Sequence, residues 1–227
     1  MKKIPAAILA LLLIVTACSP VTPKTPTPDP NLLYSDNFSD PSSGWDRSQN
    51  ENGATDYSNV GYLIYVKTPN VIRWANPSGK SFQNNLVIEV DATKPADGPD
   101  DNAFGLICRY VDANNFYYFF MSSDGFAGIG RKKNGFTNII SSPDGLLTEI
   151  TALSYGAATN HLRADCVGRT LTFYVNGTQV ATATDGSFIG GNVGLIARTY
   201  DIGGVDIQFS NFTVFKPASA VTPSVTP

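Results

Sequence analysis

The sequence predicts an all-β protein, folded as a sandwich or a barrel. Of its 19 acidic residues 16 are Asp and three are Glu, and it also holds 20 Gly and 18 Asn. Glu favours helices, whereas Asp, Asn and Gly favour turns. No segment keeps a helical period for three turns, and many short apolar or alternating segments are separated by turn signals every 8–12 residues. That spacing is typical of two-sheet sandwiches and barrels.

Twelve segments have strand-like patterns. In the segment 86–92, Leu86, Ile88, Val90 and Ala92 alternate with Val87, Glu89 and Asp91, which indicates one core face and one face toward solvent or ligand. Asn176-Gly177 lies between two apolar pairs and is a strong hairpin signal. The predicted strands cover residues 60–66, 71–75, 86–92, 104–110, 116–122, 126–131, 136–140, 161–167, 170–176, 179–183, 193–198 and 205–215.

Residues 1–17 are predicted to be a lipoprotein signal peptide. A basic start is followed by the apolar run 4–15, which is too short for a stable transmembrane anchor. The run ends in Val15-Thr16-Ala17-Cys18, which resembles the bacterial lipobox. The resemblance implies cleavage before Cys18, lipidation of that Cys and an exported protein held at the cell membrane or cell surface. The alternative is an ordinary secretory signal with a coincidental Cys.

The sequence then divides into a linker, one domain and a tail. Residues 19–30 hold five prolines and three threonines, a composition that favours an extended polyproline conformation. We therefore predict a lipidated Cys and Pro/Thr-rich linker over 18–31, a β-sandwich domain over 32–216 and a disordered Pro/Thr tail over 217–227.

The net charge argues against one class of partner, and the cysteine content predicts a disulfide. The formal net charge of −3 argues against nucleic acid, because phosphate binding needs a clustered basic surface. Cys108 and Cys166 both fall within predicted strands, and in an exported chain such a pair favours a disulfide. Two buried free thiols are the alternative.

Several segments together resemble the concanavalin A-like lectin/glucanase sandwich. Its nearer branches are the laminin G-like domains and the 3-keto-disaccharide hydrolase-like domain of bacterial exported proteins. The resemblance implies a jelly roll of two large antiparallel sheets, one of them curved, whose concave face binds glycans in many relatives. The segments that carry it are residues 36–45, 104–110, 115–119, 160–166, 171–177, 193–197 and 205–212.

The resemblance also bears on catalysis. The sandwich glucanases carry Glu-x-Asp-x-x-Glu on one strand, and glycoside hydrolysis needs two carboxylates. Here Glu89 and Asp91 match the first two acids, but Lys94 stands where the second Glu belongs. We therefore predict no catalytic residue, with Glu89 and Asp91 as weak candidates, and interpret both as residues of a solvent-facing strand.

The predicted function is that of a cell-surface lipoprotein whose lectin-like domain binds carbohydrate. Sugar rings stack on aromatic side chains while planar polar groups bind hydroxyls. The alternatives are a glycoside hydrolase acting on a di- or oligosaccharide, and an adhesion or structural module that binds an extracellular protein. The predicted ligand-binding residues are Arg73, Trp74, Glu89, Arg109, Tyr117 and Arg163.

Calcium is the one cofactor that we predict. Relatives of the resembled fold often hold a structural Ca²⁺ between the first and last strands, and Ca²⁺ takes hard oxygen ligands. The resemblance implies Asp36 and Asp206 as its ligands here.

Overall fold

The computed structural model describes residues 29–83 and 85–217. The predicted signal peptide, Cys18, most of the linker and all of the tail but Pro217 lie outside the described residues. The described chain forms seventeen strands. They are β1 (Leu32–Asp36), β2 (Ser48–Asn50), β3 (Gly53–Ser58), β4 (Gly61–Val66), β5 (Ile72–Ala75), β6 (Phe82–Gln83), β7 (Leu86–Thr93), β8 (Asn102–Asp112), β9 (Asn115–Met121), β10 (Phe126–Lys133), β11 (Phe136–Ile139), β12 (Thr148–Glu149), β13 (Thr159–Val167), β14 (Thr170–Val175), β15 (Thr178–Thr184), β16 (Gly190–Thr199) and β17 (Val205–Phe215).

The strands form two packed antiparallel sheets, which confirms the predicted fold class. The nine-stranded sheet has the order β15-β14-β13-β7-β17-β4-β3-β2, and β1 also pairs with β17. The eight-stranded sheet has the order β11-β10-β9-β8-β16-β5, with β12 beside β10 and β6 beside β16. Every strand pairing lies between Leu32 and Phe215, so this range contains both sheets and their core.

All twelve predicted strands are present, and five further strands were missed. β6 and β12 are two residues long and β2 is three, too short to show a pattern. β3 has the sequence GATDYS, in which a glycine and a threonine occupy the buried positions, so the sequence shows no alternation of apolar and polar residues. β1 lies directly after the Pro-rich segment and has two exposed leucines, so its apolar residues do not alternate.

The main core lies between the sheets. Ile88 and Val90 of β7 face it from the nine-stranded sheet, and Phe104 and Leu106 of β8 face it from the other. The predicted disulfide joins the same two layers: Cys108 of β8 is bonded to Cys166 of β13, with the Cα atoms 6.9 Å apart. A disulfide is typical of exported proteins.

Two hairpins have Asn-Gly turns, and one of them is the predicted turn at Asn176-Gly177. Asn134 and Gly135 have φ of 51° and 85°, and Asn176 and Gly177 have φ of 48° and 80°. Two successive residues with positive φ are the signature of a type I′ turn, whose twist matches that of the flanking strands.

A β-bulge changes the direction of one important side chain. The register between β8 and β9 shifts after Cys108, and Arg109 has a φ of 54°. The bulge turns the Arg109 side chain into the protein interior, where it is 1% exposed. There its guanidinium donates to the backbone oxygens of Phe188, Cys166 and Gly168.

The two ends of the described chain meet at one point. Leu32 pairs with Phe215, and the Lys216 amide donates to the Asn31 carbonyl at 2.8 Å. Among the described residues, no helix has the length and apolar character needed to cross a membrane.

Candidate functional site

The outer face of the eight-stranded sheet carries a second apolar cluster, which we call the aromatic face. Phe116, Tyr118 and Phe120 of β9 point to this side, while the alternate residues of β9 point into the core. The Tyr118 and Phe120 ring centres are 4.8 Å apart. The other members of the face are Ile72, Trp74, Ala103, Ile107, Tyr110, Ile139, Leu147, Ile196 and Tyr200.

The aromatic face is concave. Trp74 lies on β5 and Lys132 on β10, four strands apart in the sheet order. In a flat sheet that separation is about 19 Å. The Lys132 ammonium nevertheless lies 4.9 Å from the Trp74 ring centre and 5.7 Å from that of Phe116. Side chains from distant strands therefore converge over the middle of the sheet.

Glycines make room for this convergence. The Tyr118 ring lies directly over Gly130 of β10, and a Cβ at Gly130 would overlap the ring atoms. Gly105 of β8 has a φ of 156°, and a Cβ there would overlap the backbone oxygen of Phe119. The close approach of β8, β9 and β10 thus depends on missing side chains.

Arg198 supplies a guanidinium to the aromatic face, at the end where Tyr200 lies. It projects from β16, and its guanidinium carbon lies 4.6 Å from the centre of the Tyr200 ring. Its Nε is buried and has no hydrogen-bond partner. Among the described residues Arg198 also forms no salt bridge. The Nε atoms of Arg73, Arg109 and Arg131 are likewise buried without a partner in the described part of the chain, and a buried Nε has no surface that a ligand could reach. The terminal nitrogens of Arg198 are therefore the groups that could donate to a ligand oxygen.

Carboxylates lie at the Arg198 end of the face. A cleft of 260 Å³ is lined by Tyr200, Asp101 and Asp124 together with Asn102 and Phe126. Burial raises the pKa of Asp101, and the negative charges of Asp124 and Asp201 raise it further. This end of the face therefore offers a guanidinium, an aromatic ring and carboxylates within one concave surface.

A larger cleft lies at the other end of the face, and fewer of its polar groups are free to bind a ligand. Its volume is 690 Å³, and Lys80, Tyr110, Val111 and Ile189 are among its lining residues. The amide of Asn192, which also lines it, is already used: its Nδ2 donates to the Pro77 carbonyl and its Oδ1 accepts from the Val193 amide. This cleft offers mainly apolar surface and one ammonium group.

The structure places the six predicted ligand-binding residues on three different surfaces. Trp74 alone belongs to the aromatic face. Three of the residues are buried and face inward: Arg73, Arg109 and Tyr117. The bulge turns Arg109 inward. Tyr117 is adjacent to Phe116 in β9, so its side chain points to the opposite side of the sheet, into the core. Glu89 and Arg163 lie on the outer face of the nine-stranded sheet, remote from Trp74. The six residues therefore do not form one binding surface in the described structure.

Glu89 and Asp91 belong to a paired polar network. His161 Nδ1 lies 2.8 Å from the Asp91 carboxylate, and Asn211 Nδ2 donates to the same carboxylate at 2.8 Å. Arg163 Nη1 lies 3.7 Å from Glu89 and its guanidinium is bonded twice to Asp165. Their neighbours across the sheet thus already bind these carboxylates, which agrees with their interpretation as residues of a solvent-facing strand.

The structure does not bring Asp36 and Asp206 together. Asp36 is opposite Phe212 in the β1–β17 pairing, six residues from Asp206, which corresponds to about 20 Å along the strand. Asp36 accepts from the Phe38 amide at 2.7 Å and from the Trp45 indole at 3.0 Å. Among the described residues, no three His, Cys, Asp or Glu side chains are grouped to hold a metal. Calcium stays an untested prediction.

Replacing Asp206 with Asn tests the calcium prediction. Burial raises the pKa of Asp206 above its ordinary value of 3.8, although Gln208 donates to it. A raised folded-state pKa contributes stability below pH 3.8 that is lost as the pH rises through the raised value. We therefore expect Asp206→Asn to raise the melting temperature at pH 7, with the gain vanishing below about pH 4. If the variant instead melts at a lower temperature than the unaltered protein at pH 7, and does so only in calcium buffer, the result would indicate a bound ion.

Comparison with solved structures decides which sandwich this is. A carbohydrate-binding module, CBM66 from Bacillus subtilis, superposes with a TM-score of 0.60 at 21% identity, covering 77% of this chain and 96% of that one. A Bacillus subtilis protein of unknown function with a galectin-like fold gives 0.57 at 9% identity, covering 82% and 96%. An endo-β-1,3-glucanase from Pyrococcus furiosus gives 0.53 at 13% identity, covering 82% and 94%. The fold is a concanavalin A-like sandwich.

That fold is shared by binding modules and by glycosidases, so the likeness does not separate the two classes. Comparison with protein-family models and with curated protein sequences finds no match.

Sequence reasoning missed Lys132, Arg198 and Tyr200. The alternation in β16 contained the signal for Arg198, because Val193, Leu195 and Ala197 face the core and their neighbours face outward. Nothing in the sequence indicated which outer face was concave. That depends on the sheet curvature, through which Lys132 reaches Trp74.

Proposed function

We propose that this protein binds carbohydrate, without catalysing its cleavage, on the aromatic face around Arg198, as an exported and lipid-anchored protein. The observation that carries the proposal is the Arg198 guanidinium, which lies over the Tyr200 ring on the aromatic face and, among the described residues, forms no salt bridge. The fold that this chain shares with carbohydrate-binding modules supports it, and the lipobox-like Cys18 supports the anchor.

The chemistry of the face suits a sugar ring. The apolar side of a pyranose or furanose would stack on the Tyr200 and Trp74 rings. Arg198 would donate to ring hydroxyls, and Asp101 and Asp124 would accept from them. The curvature brings these groups to one side of the sheet, so that a short glycan would contact several of them at once.

A glycan array with residues 19–227 tests the proposal. We expect one sugar class to bind, and Arg198→Ala to weaken that binding at least tenfold because hydrogen bonds from a charged group are lost. Arg163→Ala is the matched control: it removes an arginine stacked on Tyr174 on the other sheet and should leave affinity unchanged. Equal losses in both variants, or a blank array on folded protein, would contradict the proposal and favour an extracellular protein partner.

A glycoside hydrolase is the second candidate function, since one observation favours it. Asp101 and Asp124 line the same cleft, and burial raises the pKa of Asp101. Glycoside hydrolysis uses a pair of carboxylates, one of them a general acid with a raised pKa. Reducing-sugar release from the bound glycan, abolished by Asp101→Asn with binding retained, would establish the hydrolase. No release over long incubation would leave the binding role.

A further inference from the structure

One end of the sandwich, which we call the tether end, exposes several large apolar side chains. It is where Asn31 and Lys216 meet and the chain enters and leaves the domain. Ile189 is 80% exposed there and Phe136 is 82% exposed. The exposed apolar residues of the tether end are Leu32, Leu33, Val111, Phe136, Val167 and Ile189.

Several contacts place these residues at the same end of the molecule. Val111 and Ile189 line the 690 Å³ cleft together with Lys80. Lys80 lies over the ring of Tyr34 in β1, 5.3 Å from its centre, which connects the cleft to the first strand. Arg109 holds both the turn after Val167 and the segment before Ile189, through the Gly168 and Phe188 carbonyls. The Gly135 amide donates to the Asn114 carbonyl, which joins the hairpin of Phe136 to that of Val111.

The charges are divided between the two ends. The exposed cations of the tether end are Lys80, Lys133, Arg169 and Lys216. Its acids are Asp29, Glu89, Asp112, Asp165 and Asp185; Asp185 is paired with Arg131, and Glu89 and Asp165 are paired with Arg163. The opposite end holds Lys67, Lys94 and Arg198, outnumbered by Asp97, Asp100, Asp101, Asp124, Asp144, Glu149, Asp201 and Asp206.

We propose that the tether end lies against an anionic phospholipid surface. The proposal rests on the lipid anchor of the proposed function for its direction: the chain enters the domain at this end, and at most about 45 Å of extended chain separates Asn31 from Cys18. Exposed apolar side chains among basic residues are the features that bind proteins to the headgroup region of a bilayer. The acidic end would be repelled by the same surface.

The 690 Å³ cleft fits this assignment. Val111 and Ile189 give it apolar walls, and Lys80 gives it an ammonium group. A phospholipid phosphate with its first carbon atoms has the complementary chemistry. In this orientation the strands of both sheets would point away from the membrane surface. The Tyr200 end of the aromatic face would be furthest from the lipid and open to glycans.

The test is partition of residues 19–227 onto vesicles, since this fragment contains every described strand and lacks the anchor. We expect binding to vesicles of equal parts phosphatidylglycerol and phosphatidylcholine, weakened by salt, and little binding to phosphatidylcholine alone. Each basic residue near an anionic surface contributes about fivefold. The triple variant Lys80→Glu, Arg169→Glu, Lys216→Glu should therefore bind at least tenfold more weakly, and Lys67→Glu should bind like the unaltered fragment.

A matched pair of isoleucines tests the apolar part. Ile189 and Ile202 are 80% and 62% exposed at opposite ends, so both tolerate replacement. We expect Ile189→Glu to weaken vesicle binding severalfold and Ile202→Glu to leave it unchanged. No binding to phosphatidylglycerol vesicles, or equal effects of the two variants, would overturn the proposal. Glycan binding of the same variants is measured in parallel, so a failure here is distinguishable from a failure of the aromatic face.

Discussion

Removing the Cys108–Cys166 disulfide is expected to lower the free energy of unfolding by about 4 kcal/mol. The two cysteines are 58 residues apart, and a cross-link that closes a loop of that length removes much of the conformational freedom of the unfolded chain. Both cysteines are fully buried, so replacing them with Ala leaves cavities, but these are small because each replacement removes only one sulfur atom. Urea unfolding of the double variant measures the loss.

The unaltered protein unfolded with and without a reductant provides the control for this prediction. Reduced protein should unfold at the same urea concentration as the double variant, because both lack the cross-link. A double variant within 1 kcal/mol of the unaltered protein, or two free thiols found by mass spectrometry, would contradict the account.

Adding one methyl group at Gly130 is expected to disrupt the aromatic face. Its Cβ would overlap the Tyr118 ring, which is 4% exposed and held between Phe116 and Phe120. Because the ring has little space to move into, we expect Gly130→Ala to cost about 3 kcal/mol of stability. We also expect it to abolish glycan binding, measured on the same array at a temperature where the variant is folded.

Gly128→Ala is the matched control on the same strand and the same face. The Cβ there would meet the flexible end of Leu147, which can move aside, and would lie 3.2 Å from the Ser141 hydroxyl, which needs to shift only slightly. The cost should therefore be below that at Gly130, at about 1 kcal/mol. Shortening Tyr118 to Leu should recover most of the stability that Gly130→Ala loses, since contacting residues are not additive. Equal losses of stability for Gly128→Ala and Gly130→Ala would show that overlap with the Tyr118 ring is not the cause of the loss.

Local pattern was enough to predict most of the fold. The alternation in residues 86–92 and the Asn-Gly turns each depend on neighbouring residues, and the structure confirms them. The disulfide was also predictable, because an even pair of cysteines in strands of an exported chain has few alternatives. β2 and β6 have too few residues for any pattern to appear.

The candidate site was less predictable because it depends on long-range geometry. The alternation along β8 predicts that the Arg109 side chain points to the outer face, but a bulge turns it inward. No residue in the sequence indicates that bulge. Lys132 and Trp74 meet only because the sheet is curved. Asp36 and Asp206 are on neighbouring strands, as the resemblance implied, but the register separates them along the strand.

Mapping a bound glycan by amide chemical-shift changes tests the central claim most directly. The labelled fragment 19–227 would be titrated with the best ligand from the array. The account predicts that shifted amides cluster on β5, β8, β9 and β16 around Trp74, Arg198 and Tyr200, and that Arg198→Ala removes the changes. Shifts that cluster on β7 and β13 around Glu89 and Arg163 would contradict it and place the binding site on the opposite sheet.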